Sequence, residues 1–450
     1  MSSSTEHRLA IHCGAAGQAA FLDGQLPAGS PRKVLLKPNW VKHEESGEFP
    51  IRALVTDSAL IDAVIQACLR KYPELESLIV GDVPLQSCEW DCLIRQAGID
   101  RLMEKYRDHS SPTIQFIDLR RERWRSRDGF LEQDPQHAGD PAGYAEVVLD
   151  EASLLEPISD QAHRFRVSDY DPGITTSMHA RGSHRYLIAR SVLEADLVIN
   201  LPKMKTHQKA GITGALKNLV GINGSKAHLV HHRLGLPSSG GDEFPESVSR
   251  LVYLQVRLRE LLQKRSKTLF RLVRLPWQAI KRLGGVETVG TRDRLAGRFY
   301  VGSGSWHGND SIWRMIYDLN LIVLHAEKQG GSLRETPQRQ YLAILDGMIA
   351  SEGNGPLQPL PVECNLLVAS SNPFLVDMAM AKLMGYDYRR IPTLANHRQF
   401  PRALWAEFDP HSFLVQRDGA CKPCGVDGIS SLRPFIPPPG WKGHIELVIA

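Results

Sequence analysis

Lysines, a histidine and small residues crowd together between Asp196 and His228, in the sequence DLVINLPKMKTHQKAGITGALKNLVGINGSKAH. An apolar run from Leu197 to Leu201 ends at Pro202, and the first cations follow directly. Ammonium groups bind phosphate and carboxylate groups through charge-assisted hydrogen bonds. The stretch therefore predicts a site for a small anion. We expect substrate-binding roles here for Lys203, Lys205, Lys217, Asn218 and Lys226.

Further polar residues follow other predicted strands. Lys37 and Asn39 follow a strand at Val34, Asp82 follows a strand at Leu78, and Asp346 follows a strand that ends at Leu345. Ligands of open α/β sheets bind beyond the carboxyl ends of the strands, so we expect these groups to converge. Lys37 and Asn39 join the predicted substrate-binding set.

Carboxylates and a histidine supply the predicted chemistry of this site. Asp82, Asp346 and Glu352 are candidate ligands of a divalent metal such as Mg, Mn or Zn. His207, Asp346 and Glu352 are candidate proton carriers. Each residue also has a structural explanation, because an aspartate after a strand often caps a loop and a lone loop histidine often does no chemistry.

Five segments of the chain carry a family resemblance. They are KPNW at Lys37–Trp40, VINLPKMKTH at Val198–His207, ALKNLVG at Ala215–Gly221, ILDGMIASEGNGP at Ile344–Pro356 and VDMAMAKLMGYD at Val376–Asp387. In this order they resemble domain-of-unknown-function family 362, over a span from Lys33 to about Ile391. The resemblance implies a strand, a Pro-Lys-x-Lys-Thr-His loop and a Lys-Asn-Leu-x-Gly helix, but no settled activity. Some members carry ferredoxin-like iron–sulfur modules. The four clustered cysteines of such a module do not occur here, so we expect no iron–sulfur cluster within this chain.

Strands and helices alternate along the chain. This order predicts an α/β fold with a mostly parallel sheet, flanking helices, two lobes and a basic helical insertion. The predicted strands are Val34–Leu36, Ser77–Val80, Ile114–Ile117, Leu197–Leu201, Leu342–Leu345 and Asn365–Ala369. The predicted helices are Asp57–Arg70, Leu93–Tyr106, Tyr186–Glu194, Ile312–His325 and one that begins at Asp377. We divide the chain into an N-terminal α/β region (1–195), a lysine-rich site (196–249), a basic insertion (250–300), a C-terminal α/β region (301–400) and an irregular tail (401–450).

The basic insertion carries ten lysines and arginines between Arg250 and Arg282, against the single acid Glu260. Apolar residues recur three and four apart there, which predicts an amphipathic helix, kinked or broken near Pro276. Such a helix either is solvated or docks on a membrane surface or an acidic protein partner. No aromatic-studded basic groove accompanies the charge, so we expect no specific nucleic acid.

The overall composition is that of a globular protein. Hydrophobic residues make up 42% and charged residues 23%, and no apolar run reaches the roughly 18 residues of a membrane span. The first residues, MSSSTEHRLAIHCG, lack the features of a secretory signal. Together with seven scattered cysteines, this predicts a cytoplasmic protein. Cys421 and Cys424 have metal or redox spacing, and with Cys88 and Cys92 they could form a four-thiolate site or serve only structural roles.

Three functions fit these patterns. The leading hypothesis is an enzyme that acts on a small phosphorylated or carboxylated metabolite in a cleft of lysines and aspartates, assisted by a divalent metal. The first alternative is a redox enzyme that works with an iron–sulfur partner. The second is a non-catalytic binding or scaffolding protein that docks through its basic helix. The sequence leaves the substrate, the reaction and the oligomeric state open.

Overall fold

The fold is known from a computed structural model of the chain. The structure describes residues 8–127, 130–134, 137–167, 170–248, 253–254, 257, 292–293, 298–299, 302–417 and 420–447. The predicted basic helix between Arg250 and Arg282 thus lies almost entirely outside the described residues. Within the described ranges the chain forms a large mixed sheet flanked by helices, which confirms the predicted α/β fold.

The described ranges contribute eleven strands to the main sheet. They are β1 (Arg8–Cys13), β2 (Lys33–Pro38), β3 (Ser77–Asp82), β4 (Thr113–Asp118), β5 (Leu197–Leu201), β6 (Lys203–His207), β7 (Gly211–Ile212), β8 (Gln340–Asn354), β9 (Gln358–Ser370), β10 (Phe413–Arg417) and β11 (Ala420–Cys424). Their order across the sheet is β11-β10-β1-β9-β8-β5-β2-β3-β4, while β6 pairs with β7 and β8. Strands from the predicted N-terminal and C-terminal regions therefore share one sheet.

The helices lie between these strands in the chain. They are α1 (Gln18–Gln25), α2 (Ile51–Leu54), α3 (Ser58–Lys71), α4 (Trp90–Gln96), α5 (Ile99–Lys105), α6 (Pro172–Met178), α7 (Arg190–Leu193), α8 (Gly214–Asn218), α9 (Ile312–His325), α10 (Pro373–Leu383), α11 (Pro392–Ala395) and α12 (Ala403–Ala406). Among the helices in the described part of the chain, none combines the length and the apolar character needed to cross a membrane.

Smaller sheets lie outside the main one. Tyr144–Leu149, Ser183–Ala189 and His179–Ala180 form an antiparallel sheet. Two-stranded pairs are Arg123–Arg127 with Phe130–Asp134, Phe165–Arg166 with His232–Arg233, and Arg292–Asp293 with Arg298–Phe299. The segment after Arg120 thus contains a hairpin.

The centre of the main sheet is buried on both faces. Every residue of β5 is buried, and its neighbours β2 and β8 run parallel to it. Val198 packs into one apolar core together with residues of α9 and α10, whereas Leu197 and Ile199 pack into a second core with residues of α3. An apolar run without alternation is what such a doubly covered strand requires.

Two predicted helices differ in the structure. The segment predicted as a helix from Tyr186 to Glu194 begins as the strand Ser183–Ala189, and only the four residues of α7 are helical. The predicted helix Leu93–Tyr106 is split into α4 and α5, because Gly98 takes a left-handed conformation with φ of 67°. Left-handed φ values are accessible to glycine at little cost, which makes it a natural break between helices.

The C-terminal half contains more strand than predicted. A strand was predicted to end just before Asp346, but in the structure the chain continues from there as the second half of β8. This half has a bulge between Gly347 and Ile349 and forms a long antiparallel hairpin with β9. The predicted irregular tail contributes β10 and β11 to the sheet.

Candidate functional site: a buried lysine cluster

The carboxyl ends of adjacent strands bring the predicted polar residues together. β2, β5 and β8 are parallel neighbours, and β3 runs parallel on the far side of β2. β6 follows β5 after a single proline and pairs with β8, with Lys203 opposite Asp346. The topology thus places lysines from β2 and β6 beside carboxylates from β3 and β8.

Lys37 and Asp82 form the first buried ion pair of the site. Lys37 Nζ lies 2.7 Å from Asp82 Oδ1, and both side chains are almost fully buried. Burial lowers the pKa of Lys37, while the Asp82 carboxylate opposes that shift. The same carboxylate accepts the backbone amides of Trp40 at 2.6 Å and Val83 at 2.7 Å. Asp82 therefore ties the end of β3 to the end of β2.

Lys203 and Asp346 form the second pair. Lys203 Nζ lies 2.8 Å from Asp346 Oδ2, and both side chains are completely buried. Asp346 also accepts the backbone amides of Asp57 at 2.8 Å and Met348 at 3.1 Å. With three donors around it, this carboxylate is held in place as an anchor between β6, β8 and the start of α3.

Asn218 connects the ends of neighbouring strands through its side-chain amide. Its Oδ1 accepts Asn39 Nδ2 at 2.7 Å, and its Nδ2 donates to Asn200 Oδ1 at 2.7 Å and to the carbonyl of Lys37 at 3.2 Å. These bonds span β2, β5 and α8. Both predicted ligand-binding amides, Asn39 and Asn218, thus hold the framework next to the lysines.

Asp377 fixes the short helix that carries Lys217. Its carboxylate accepts the backbone amides of Ala215 at 2.5 Å and Leu216 at 3.0 Å, at the beginning of α8. Gly214 approaches this carboxylate with φ of 55°, and a Cβ there would overlap it. Burial raises the pKa of Asp377 to about 7, against the lowering effect of the two amides.

Lys205, Lys217 and Lys226 have no carboxylate within ion-pair distance among the residues that the structure describes. Lys205 is buried and donates to the carbonyl of Leu54 at 2.7 Å. Burial, reinforced by the charges of neighbouring lysines, holds its pKa well below the usual range. Burial likewise lowers the pKa of Lys217 to about 7 and that of Lys226 to about 8.

Lys217 is the centre of this positive charge. The ammonium groups of Lys226, Lys37 and Lys209 all lower its pKa electrostatically, and the Asp82 carboxylate opposes them. Its side chain is partly exposed to solvent, yet burial is the largest cause of its lowered pKa. Lys217 therefore lies between the buried lysines and solvent. We call Lys37, Lys203, Lys205, Lys217 and Lys226 the lysine cluster.

Two histidines face the cluster. His207 Nδ1 accepts the backbone amides of Lys209 at 3.1 Å and Ala210 at 3.3 Å, so its ring proton lies on Nε2. His231 Nδ1 lies 3.1 Å from the carbonyl of Leu229, so that nitrogen carries the proton and Nε2 keeps its lone pair. Burial and the nearby lysines hold the pKa of both rings well below the usual range. Sequence reasoning missed His231, because His231 and His232 are adjacent and resemble no metal motif.

The predicted metal ligands do not assemble into one group. Glu352 accepts Arg433 Nη2 at 2.8 Å and the backbone amide of Ile436 at 2.9 Å. Asp82, Asp346 and Glu352 therefore each face a different cation. Across the described ranges, no three His, Cys, Asp or Glu side chains lie together as a metal site.

The cysteines also lie apart. Cys421 and Cys424 are on β11 at one edge of the sheet, whereas Cys88 follows β3 near the opposite edge. A site combining those pairs is not formed in the described part of the chain.

Two surface cavities lie away from the lysine cluster. One is lined by Arg398, Phe400 and Arg402, and the other by Asp310, Trp313 and Arg389. Both are lined by arginines together with acidic residues, Glu407 and Asp409 in the first and Asp310 in the second. The lysine cluster is the stronger candidate site, because Lys205, Lys217 and Lys226 have lowered pKa values and no carboxylate partner among the described residues.

Known proteins resemble parts of this chain. The family model described as Domain of unknown function (DUF362) matches residues 134–382. A thylakoid-associated protein of Synechocystis sp. is 44% identical over 54 residues, which cover 12% of this chain and 17% of that relative. The crystal structure of a Thermotoga maritima protein can be aligned with this chain at 10% sequence identity and a TM-score of 0.33. The alignment covers 80% of this chain and 55% of the Thermotoga maritima chain. That structural likeness is too low to support an argument about the site.

Proposed function

This chain belongs to the family of Domain of unknown function 362 (DUF362), and we propose that it is an enzyme whose lysine cluster binds a small phosphorylated or carboxylated metabolite. The observation that supports this most strongly is the uneven pairing of charge. Lys37 and Lys203 each face a carboxylate, whereas Lys205, Lys217 and Lys226 face none among the described residues.

Unpaired buried ammonium groups are costly in a protein interior, because each loses its hydration without gaining a counter-ion. The lowered pKa values of Lys217 and Lys226 express this cost. An anion that binds beside these lysines would supply the missing charge and would favour the protonated lysines. Phosphate and carboxylate groups carry that charge and accept several N–H donors at once.

The groups around the anion support a chemical role beyond binding. Lys217 has a pKa of about 7, so it can exchange a proton at neutral pH. The neutral His231 ring keeps a lone pair on Nε2, which suits it to accept a hydrogen bond from a bound molecule. Clusters of perturbed ionisable groups in a crevice are typical of catalytic sites. His207 presents Nε2–H, which suits it to donate a hydrogen bond to the bound anion.

Calorimetry with inorganic phosphate and with succinate tests the proposal. Each anion should bind the native protein, and Lys217→Ala and Lys226→Ala should each lower the affinity at least about tenfold, or ~1.4 kcal/mol. Lys442→Ala is the matched control, because Lys442 is exposed and does not belong to the lysine cluster. Its affinity should equal that of the native protein.

Proton uptake gives a second measure of the same event. Anion binding should raise the pKa of Lys217 above about 7, so near pH 7.5 the complex should take up protons from the buffer. The apparent binding enthalpy should then change with the ionisation enthalpy of the buffer in the native protein and less so in Lys217→Ala. If neither anion bound at millimolar concentration, or if both lysine variants bound like Lys442→Ala, the proposal would be wrong.

A further inference from the structure

Among the lysines of the cluster, Lys217 has an amine that is both reachable and unengaged. Lys37 and Lys203 are held by carboxylates, and Lys205 donates to the carbonyl of Leu54 from a buried position. Lys226 is only 8% exposed. Lys217 is more exposed than these and has neither a hydrogen bond nor an ion pair within the described residues.

The surroundings of Lys217 favour its neutral form. Lys226, Lys37 and Lys209 repel a proton on its amine, and burial adds to the effect. A neutral lysine has a free lone pair on Nζ and is a nucleophile, whereas the ordinary ammonium form is not. Desolvation next to other cations is a recognised way of activating a lysine toward carbonyl compounds.

The backbone that carries Lys217 is held firmly. Asp377 caps the start of α8, and Asn218, the next residue, is bonded to both β2 and β5. The Lys217 side chain therefore starts from a fixed backbone position, next to Lys226, which has no carboxylate partner among the described residues and can hold an anionic group. A nucleophile and an anion-binding site are thus placed side by side.

We propose, resting on the proposed function, that Lys217 forms an imine with the carbonyl carbon of an anionic aldehyde or ketone. The phosphate or carboxylate group of that compound is held by Lys226. The lone pair of Lys217 Nζ forms a bond to the carbonyl carbon while the C=O π electrons move to oxygen. The oxygen takes a proton from solvent, and the cationic Nζ releases one of its two protons to solvent. The resulting carbinolamine then loses water. Its hydroxyl group leaves with one proton, Nζ gives up its other hydrogen, and a C=N bond forms. One amine and one carbonyl thus give one imine and one water, without an oxidant or a reductant.

Pyridoxal 5′-phosphate followed by borohydride is a direct probe, because it joins an aldehyde to a phosphate and reduction traps an imine as a stable amine. Peptide mass spectrometry of the full chain should find the trapped group on Lys217 in large excess over Lys442. Inorganic phosphate should protect Lys217 from labelling, and pyridoxal without its phosphate should label it far less. The labelling rate should rise as the pH passes about 7, where Lys217 loses its proton.

Lys217→Arg separates this inference from the anion site itself. Arginine keeps a positive charge but forms no imine, so the variant should still bind inorganic phosphate in calorimetry while losing the trapped product. Equal labelling of Lys217 and Lys442, labelling that phosphate does not suppress, or trapping on Lys226 in place of Lys217 would overturn the imine while leaving anion binding intact. Loss of phosphate binding by the native protein would instead overturn the proposed function.

Discussion

Asp346→Asn should destabilise the protein strongly, because it removes the only carboxylate beside a completely buried Lys203 among the described residues. The two side chains are 2.8 Å apart with no exposed surface. Removing one partner of a buried ion pair typically costs ~3–5 kcal/mol, since the other charge is left without compensation. We expect a loss of that size in the free energy of unfolding. An asparagine also cannot accept all three donors that Asp346 accepts, which acts in the same direction.

An exposed pair provides the matched control. Arg70 Nη2 lies 2.7 Å from Asp23 Oδ1, nearly the same separation, but the side chains are 50% and 42% exposed. Water and salt screen such a pair, so Asp23→Asn should cost at most about 1 kcal/mol. The contrast between the two substitutions isolates the effect of burial.

Urea unfolding followed by circular dichroism measures both variants. The double variant Lys203→Met/Asp346→Asn should recover at least about 2 kcal/mol relative to Asp346→Asn, because no unpaired charge is left buried. A purely catalytic Asp346, the sequence-based hypothesis, predicts lost activity at unchanged stability. A loss below ~1 kcal/mol in Asp346→Asn, or a double variant no more stable than the single one, would refute the electrostatic reasoning.

Two further substitutions test the framework of the site. Gly221→Ala should lower both the stability of the protein and its phosphate affinity, because a Cβ there would overlap the Asp82 carboxylate and lie 2.7 Å from Lys37 Nζ. Gly24 on α1 is the control, because a Cβ there would lie in open space. Gly24→Ala should leave phosphate affinity unchanged in the same calorimetry. Asp377→Asn should flatten part of the pH dependence of stability. The folded pKa of Asp377 is raised to about 7 from an ordinary 3.8, so its contribution is full below about pH 4 and is lost as the pH rises toward 7. The urea midpoint of the native protein should therefore fall relative to that of Asp377→Asn as the pH rises from 4 to 8. Identical pH profiles of the two proteins would contradict the raised pKa.

Much of the fold could be predicted where local pattern and burial agree. The predicted strand Leu197–Leu201, which is apolar apart from Asn200, is present as β5, and the helix Ile312–His325 has the predicted bounds. β8 was predicted too short, because Asp346 looks like the end of an apolar run. The strand continues since Lys203 on β6 neutralises that charge, and this pairing depends on register between distant segments.

Pairing with a distant strand also determines the secondary structure of the segment that begins near Tyr186. Its apolar residues recur at helical spacing, which predicted a helix through Glu194. In the structure, Ser183–Ala189 pairs with Tyr144–Leu149, and the alternation of buried Tyr186 and Ile188 with exposed Arg185 suits a strand. A single sequence cannot show that partner, so local spacing favoured the wrong element.

The candidate site was predicted in outline but not in its pairings. Parallel topology sufficed to predict that Lys37, Asp82, Lys203 and Asp346 converge. Which lysine meets which carboxylate depends on strand order, and the bond between Glu352 and Arg433 joins residues 81 positions apart. The sequence therefore treated the carboxylates as one metal-binding group, whereas the structure distributes them among separate cations.

The distribution of charge in the lysine cluster links binding to stability. A fold selected for stability alone would gain by pairing Lys217 and Lys226 with carboxylates or by replacing them with apolar residues. Instead, their pKa values are lowered to about 7 and 8, so near neutral pH part of each population has already given up its proton. A bound anion reverses that loss, and whatever binds the folded state in this way stabilises it. Local departures from the best packing are expected where function requires them. Under the proposed function, the same unpaired charge that destabilises the fold would supply the affinity for the anion.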